Sequence, residues 1–140
     1  MGLARKAAEQ KYALQDGQQF DALAALYAPG AIITGPGLPE MTPDGYVAYV
    51  KALSDAMPDL RHEMTTMLET ESAAAYELIA RGTFTRTLQT PAGPVPPNGQ
   101  VVAVDLAQFL SVDDTGKIVR DRSYFDQISF LTQTGVVPAS

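Results

Sequence analysis

The sequence predicts an α+β fold: a curled antiparallel sheet with helices packed on one face, enclosing a conical pocket. Three observations lead there. Helix-forming segments gather before Pro58, strand-like alternation takes over from Asp59, and one short helical stretch closes the chain. Hydrophobic residues make up 46% and charged residues 19% of 140, so a single domain spanning residues 1–140 can bury a core and a pocket.

The elements follow in order. Leu3 to Asp16 is rich in Ala, Lys, Glu and Gln, all good helix formers, and Gly17 breaks it. Phe20, Leu23, Ala24 and Tyr27 recur at helical spacing, and Pro29-Gly30 ends that second helix. Ala31 to Thr34 reads as a short apolar strand, followed by a Gly/Pro loop. Thr42-Pro43-Asp44 is a helix start, with a capping hydroxyl, proline at the first helical position and an acid near the positive end. Tyr46, Tyr49, Val50, Leu53 and Met57 form its apolar stripe until Pro58.

In the next strand Leu60, His62, Met64, Thr66 and Leu68 share one face. The opposite face is mostly charged, so the His62 face is expected inward. Tyr76, Leu78, Ala80, Gly82 and Phe84 are the inward set of the following strand. Gln89 to Gly99 carries four prolines and two glycines and reads as a long hairpin loop at the rim. Val101 to Leu110 is apolar on both faces, which implies that its outer face meets something, most simply a second copy of the chain. Asp113 to Lys117 turns the chain into the last strand.

Composition narrows the chemistry. A net charge of −6 argues against nucleic acid and against an anionic membrane surface. No apolar run reaches a membrane-spanning length, and the start of the chain lacks the apolar stretch of a signal peptide, so a cytoplasmic location is expected. With no cysteine and one histidine, thiol catalysis is excluded and a transition-metal site is not expected. Carboxylates, hydroxyls, arginines and His62 remain.

Three of these invite a role. Tyr124 and Asp126, two apart on an extended backbone, share a face amid Phe125, Ile128, Phe130 and Leu131. Asp126 is either a buried acid/base with a raised pKa or the N-cap of the last helix. Asp105 interrupts a valine-rich strand, as a second pocket acid or as half of an interface ion pair. His62 is a base or a hydrogen-bonded core residue.

With the elements placed, the chain resembles the SnoaL-like polyketide cyclases of the nuclear transport factor 2-like (cystatin-like) fold. The matching pieces are Asp21-Ala22-Leu23 before Leu26-Tyr27-Ala28, Met57 to His62, Gly82-Thr83-Phe84-Thr85, Gly116 to Val119, Tyr124-Phe125-Asp126 and Gln133-Thr134-Gly135. The resemblance implies a cofactor-independent cyclase or isomerase, of lyase or isomerase type, that closes a ring by intramolecular aldol chemistry on a small apolar keto compound. It carries the acid/base role to Asp126, with His62 and Asp105 as further candidates. Tyr124, Phe84, Tyr49, Met64 and Phe109 are then the expected substrate-binding positions. Phe84 stands where many members have histidine. Neither metal nor organic cofactor is implied, and a homodimer through the outer sheet face is expected. The alternatives are a non-catalytic binding protein for a small hydrophobic ligand and a limonene-type epoxide hydrolase. Ala103 breaks the Arg-x-Asp pattern that the hydrolase needs.

Overall fold

The computed structural model describes residues 2–137. Its elements are α1 (Leu3–Asp16), α2 (Phe20–Ala24), β1 (Tyr27–Thr34), α3 (Pro43–Ala56), β2 (Arg61–Glu69), β3 (Ala73–Thr83), β4 (Leu88–Thr90), β5 (Gly93–Val95), β6 (Val101–Val112), β7 (Ile118–Phe125) and α4 (Gln127–Gln133). Five strands form one sheet in the order β1-β7-β6-β3-β2, and β4 and β5 form a separate small hairpin. The α+β class expected from the sequence is what the chain adopts. Helix α1 packs against β2, β3 and β6, while α3 packs against β1 and β4.

Local signals explain most boundaries. Thr42 caps α3 by accepting from the Gly45 N–H at 3.2 Å, with Pro43 at the first helical position. At the other end of α3, Met57 packs close to Gly82, where a Cβ would sit 2.9 Å from the Met57 Cβ. Only glycine leaves room for that approach. Asp59 then ties the start of β2 to the end of β3, accepting from the Thr83 N–H and from its hydroxyl, both at 2.7 Å.

Four expectations need correction. The second helix stops at Ala24, and Tyr27 to Gly30 already belong to β1. Tyr27 is drawn into the strand because its buried hydroxyl donates to Asp121. Strand β1 pairs parallel with β7, so the sheet is mixed rather than wholly antiparallel. The rim hairpin is tighter than the long loop expected, because Leu88–Thr90 and Gly93–Val95 pair as strands. In β2 the predicted alternation holds only through Met64. Thr65 is an extra residue in the pairing with β3: Met64 faces Leu78, and Thr66 faces Glu77. This bulge turns Met67 inward and leaves Leu68 71% exposed on the outer face.

The core holds an unusual inclusion. Lys11 and Asp121 are 0% and 1% exposed, and the Lys11 ammonium meets the carboxylate at 2.7 Å. Lys11 lies on the buried face of α1 with Ala4, Ala7, Ala8, Tyr12 and Gln15. Its ammonium also donates to Gln108 Oε1 at 3.0 Å, and Tyr27 Oη donates to Asp121 at 2.7 Å. Burial by itself pushes the ammonium pKa down. The adjacent carboxylate, together with the surrounding phenols, outweighs that and holds it above the ordinary lysine range.

Removing one partner of such a pair strands a buried charge. Lys11→Met should therefore lower unfolding free energy by roughly 3–5 kcal/mol in urea denaturation. The double variant Lys11→Met/Asp121→Leu should recover much of that loss. If the double variant is less stable than either single change, the pair is a net source of stability rather than a balanced inclusion.

Candidate active site

A cavity of about 690 Å³, measured out to its open mouth, lies between the sheet and the helices. Helix α3 contributes Tyr46, Tyr49, Val50 and Leu53, the stripe that its 3.6-residue period predicts. Strand β6 contributes Val102, Val104, Leu106 and Gln108, its even-numbered face. Strand β7 adds Ser123 and Phe125, and α4 adds Phe130. From α1 come Tyr12 and Gln15, and from β2 and β3 come His62 and Ala80. A second space of about 620 Å³ adjoins through the shared walls Tyr49, Leu53, Phe125 and Phe130, and reaches the β4–β5 hairpin at Leu88 to Pro91. The cavity walls are mainly apolar, and their polar groups come from α1, α3, β6, β7 and the start of β2.

The most organised polar pair is Asp16 with His62. Asp16 is the last residue of α1, and its two oxygens hold His62 twice. Oδ1 lies 2.7 Å from His62 Nδ1, and Oδ2 accepts the His62 backbone N–H at 3.0 Å. With the carboxylate on Nδ1, the ring carries its proton there, and Nε2 is the acceptor nitrogen. Nε2 has no hydrogen-bond partner among the described residues. Ala80 lies opposite His62 in the sheet, and the Tyr12 ring packs on the imidazole at a centroid distance of 4.8 Å.

A second network forms the floor. Gln108 Oε1 accepts from Lys11 Nζ and from Tyr76 Oη, each at 3.0 Å. Gln15 Nε2 donates to Tyr46 Oη at 2.7 Å. Burial pushes the phenol pKa values up at Tyr12, Tyr27, Tyr46 and Tyr76, and brings Tyr49 to about 12. These hydroxyls therefore stay protonated under ordinary conditions.

The structure brings together only part of the predicted site. His62 and Tyr49 line the cavity as expected. Asp126 does not: it is exposed, and its carboxylate caps α4 by accepting from the Ser129 N–H at 3.0 Å. Of the two local readings of Asp126, the N-cap is the one realised. Tyr124 is half exposed on the outer face, edge-on to Phe109, because Asp121, Ser123 and Phe125 are the inward residues of β7. Phe109 and Asp105 belong to the odd-numbered face of β6 and likewise point outward. Phe84 is fully buried in a separate cluster with Ala56, Met57, Leu88 and Val102. Met64 packs on the main core rather than on the cavity wall.

Asp16, Lys11, Asp121 and Gln108 were not singled out from the sequence. Faint signals exist. Lys11 sits in register with the Ala4, Ala8 and Gln15 stripe, and Asp16 places a carboxylate at the negative end of a helix, against its dipole.

This α+β fold has solved counterparts. AclR from Streptomyces galilaeus, provisionally described as a hydroxylase, shares 19% identity at a TM-score of 0.79, with 96% of each chain covered. IdmH from Streptomyces antibioticus, provisionally a polyketide cyclase, shares 22% at 0.75, covering 94% of this chain and 97% of its own. A protein from Catenulispora acidiphila with a ketosteroid isomerase-like fold shares 17% at 0.75, with 94% of each covered. At these identities the likeness is one of fold. No curated protein matches the chain in sequence. The family is settled by sequence: the profile of the SnoaL-like polyketide cyclases matches residues 5–134, and the chain belongs to that family.

The buried phenols set the alkaline limit of the fold. Their pKa is raised above the unfolded value of about 10, so their contribution is complete below that pH and is lost as pH rises toward the folded values. Tyrosinate absorbance from these residues should appear together with cooperative loss of circular dichroism above pH ~10. Gradual ionisation of these phenols in an intact fold would contradict their enclosure.

Proposed function

We propose that the chain is a cofactor-independent cyclase or isomerase of the cytoplasm in which His62, oriented by Asp16, moves a proton at a carbon beside a carbonyl group. The single observation that carries this reading is the doubly held imidazole, whose Nε2 is left unpaired at the wall of an apolar cavity. Imidazole is the side-chain base best matched to neutral pH, and a base gains from a partner that fixes its tautomer. The substrate is a small, largely apolar ketone. In the ring-closing form of the reaction, Nε2 takes the acidic C–H proton and the electron pair becomes an enolate. The enolate carbon then bonds to a second carbonyl carbon of the same molecule. The alkoxide so formed takes the proton back from the imidazolium. His62 thus replaces Asp126 as the proton-transfer group.

We also propose that the chain pairs with a second copy through the outer face of the sheet. Leu68, Val101, Phe109 and Tyr124 are all exposed there. Arg122 lies 5.3 Å from the Phe109 ring centroid, and its buried Nε has no partner among the described residues. Exposed apolar side chains beside an unsatisfied donor make the kind of surface a symmetric partner covers.

Proton abstraction can be read without the natural substrate, by deuterium exchange into 2-tetralone followed by NMR. The wild-type protein should accelerate exchange, and His62→Gln should reduce the rate by roughly 10²–10⁴-fold. Asp16→Asn should give a smaller loss. Binding of 2-tetralone with no exchange above buffer would favour the binding-protein reading. For assembly, light scattering at micromolar concentration should report twice the 15.0 kDa chain mass, and a 15.0 kDa particle would refute the dimer.

A further inference from the structure

At the floor of the cavity, some hydrogen-bond donors stand without an acceptor. Tyr12 is 5% exposed, and its Oη has no hydrogen-bond partner among the described residues. Gln108 is also 5% exposed, and its amide cannot be turned over. Oε1 takes bonds from two donors, Lys11 Nζ and Tyr76 Oη. Reversal would set an NH₂ group against an ammonium ion. Nε2 is thereby left with hydrogens that reach no acceptor among the described residues. Tyr46 Oη already accepts from Gln15, so its own proton is also unassigned. A folded chain rarely tolerates a buried donor with nothing to give to, and Tyr12 Oη, with the Gln108 amide on the same cavity, marks a place where something else supplies the lone pairs.

We propose that Tyr12 Oη and Gln108 Nε2 form a preformed oxyanion site that receives the carbonyl oxygen of the substrate as it becomes an enolate. This rests on the reading of His62 as the base, and it narrows the substrate to a ketone whose oxygen and acidic carbon both reach this end of the cavity. All three side chains line the same cavity. The Tyr12 ring packs on His62 at 4.8 Å, so donor and base share neighbouring walls. As the C–H proton passes to Nε2, the C–H electron pair forms a carbon–carbon double bond. The carbonyl π pair moves to oxygen, and the negative charge collects there. Donors fixed in advance in a water-poor site stabilise that charge more than they stabilise the neutral ketone. Lys11 is a positioning residue: its charge lies 3.0 Å from Gln108 Oε1 and polarises the amide toward donation. Asp121 is held behind it by Lys11 and Tyr27 and is not a cavity wall.

The ionised form of 4-nitrophenol carries its negative oxygen on a planar carbon, as an enolate does, and nitrobenzene is its neutral counterpart. The wild-type protein should bind the phenolate at least about tenfold more tightly than nitrobenzene. Tyr12→Phe removes only the unpaired oxygen. Gln108→Glu keeps the acceptor facing Lys11 and Tyr76 but deletes the donor. Each should lose roughly 10–100-fold in phenolate affinity and leave nitrobenzene binding unchanged. In the 2-tetralone exchange, Tyr12→Phe should lower kcat by roughly 10²–10³-fold with little change in KM. Free of ligand, it should melt at the same temperature as wild type or higher, whereas a structural hydroxyl would make it melt lower. His62→Gln should keep the phenolate preference while losing exchange. Equal phenolate affinity in Tyr12→Phe and wild type would overturn the oxyanion site whatever His62 does. Exchange that survives His62→Gln would instead remove the base reading.

Discussion

The contact between Lys11 and Asp121 governs much of what surrounds it. Two opposite charges at 2.7 Å, both almost without solvent, are tolerated only with further hydrogen bonds around them. Tyr27 donates to the same carboxylate oxygen, Oδ2, that Lys11 holds, and Gln108 takes a second ammonium proton. The pair therefore joins one helix to strands β1, β6 and β7. Because Asp121 must face α1, β7 can have only one parity: Asp121, Ser123 and Phe125 inward, Tyr124 outward. A one-residue slip would put a lone carboxylate on the outer face and leave the ammonium buried alone.

With α1 fixed along the sheet, its next turn delivers the site. Tyr12 and Gln15 follow Lys11 on the same buried stripe, and Asp16 ends the helix beside the start of β2. There it holds the side chain and the backbone of His62 together. The cavity is thus graded. Apolar residues of α3, β6 and α4 shape its mouth and walls, while the polar groups gather where α1 meets the sheet. A hydrophobic molecule gains from burial along most of its length and meets hydrogen-bonding groups at one end.

The same network explains why no carboxylate lies bare in the cavity. Asp121 is the inward acid of β7, but an ammonium and a phenol occupy it. Asp126 is the acid nearest the final helix, and the helix itself uses it. Carboxylate oxygens already engaged by donors of the fold are poorly placed to take a proton from a bound molecule. The imidazole, held at one nitrogen and open at the other, is the group left with unused capacity.

How far the chain could be read depended on the range of each determining interaction. Helix starts, the stripe of α3, the N-cap alternative for Asp126 and the α+β class rest on neighbours within about four residues, and the sequence by itself determined them. The inward setting of His62 was also legible, since only two faces were open to it and the other was charged. Tertiary structure decided the rest. The parity of β7 follows from a partner 110 positions away in the chain, and no local alternation around Tyr124 and Asp126 could reveal it. The extra residue at Thr65 turned the end of β2 over, because register is a property of two strands rather than one. The orientation of His62 waited on Asp16, 46 positions earlier. Burial of a charge becomes favourable only when its counter-charge arrives, and that arrival belongs to the packed layers, not to either segment alone.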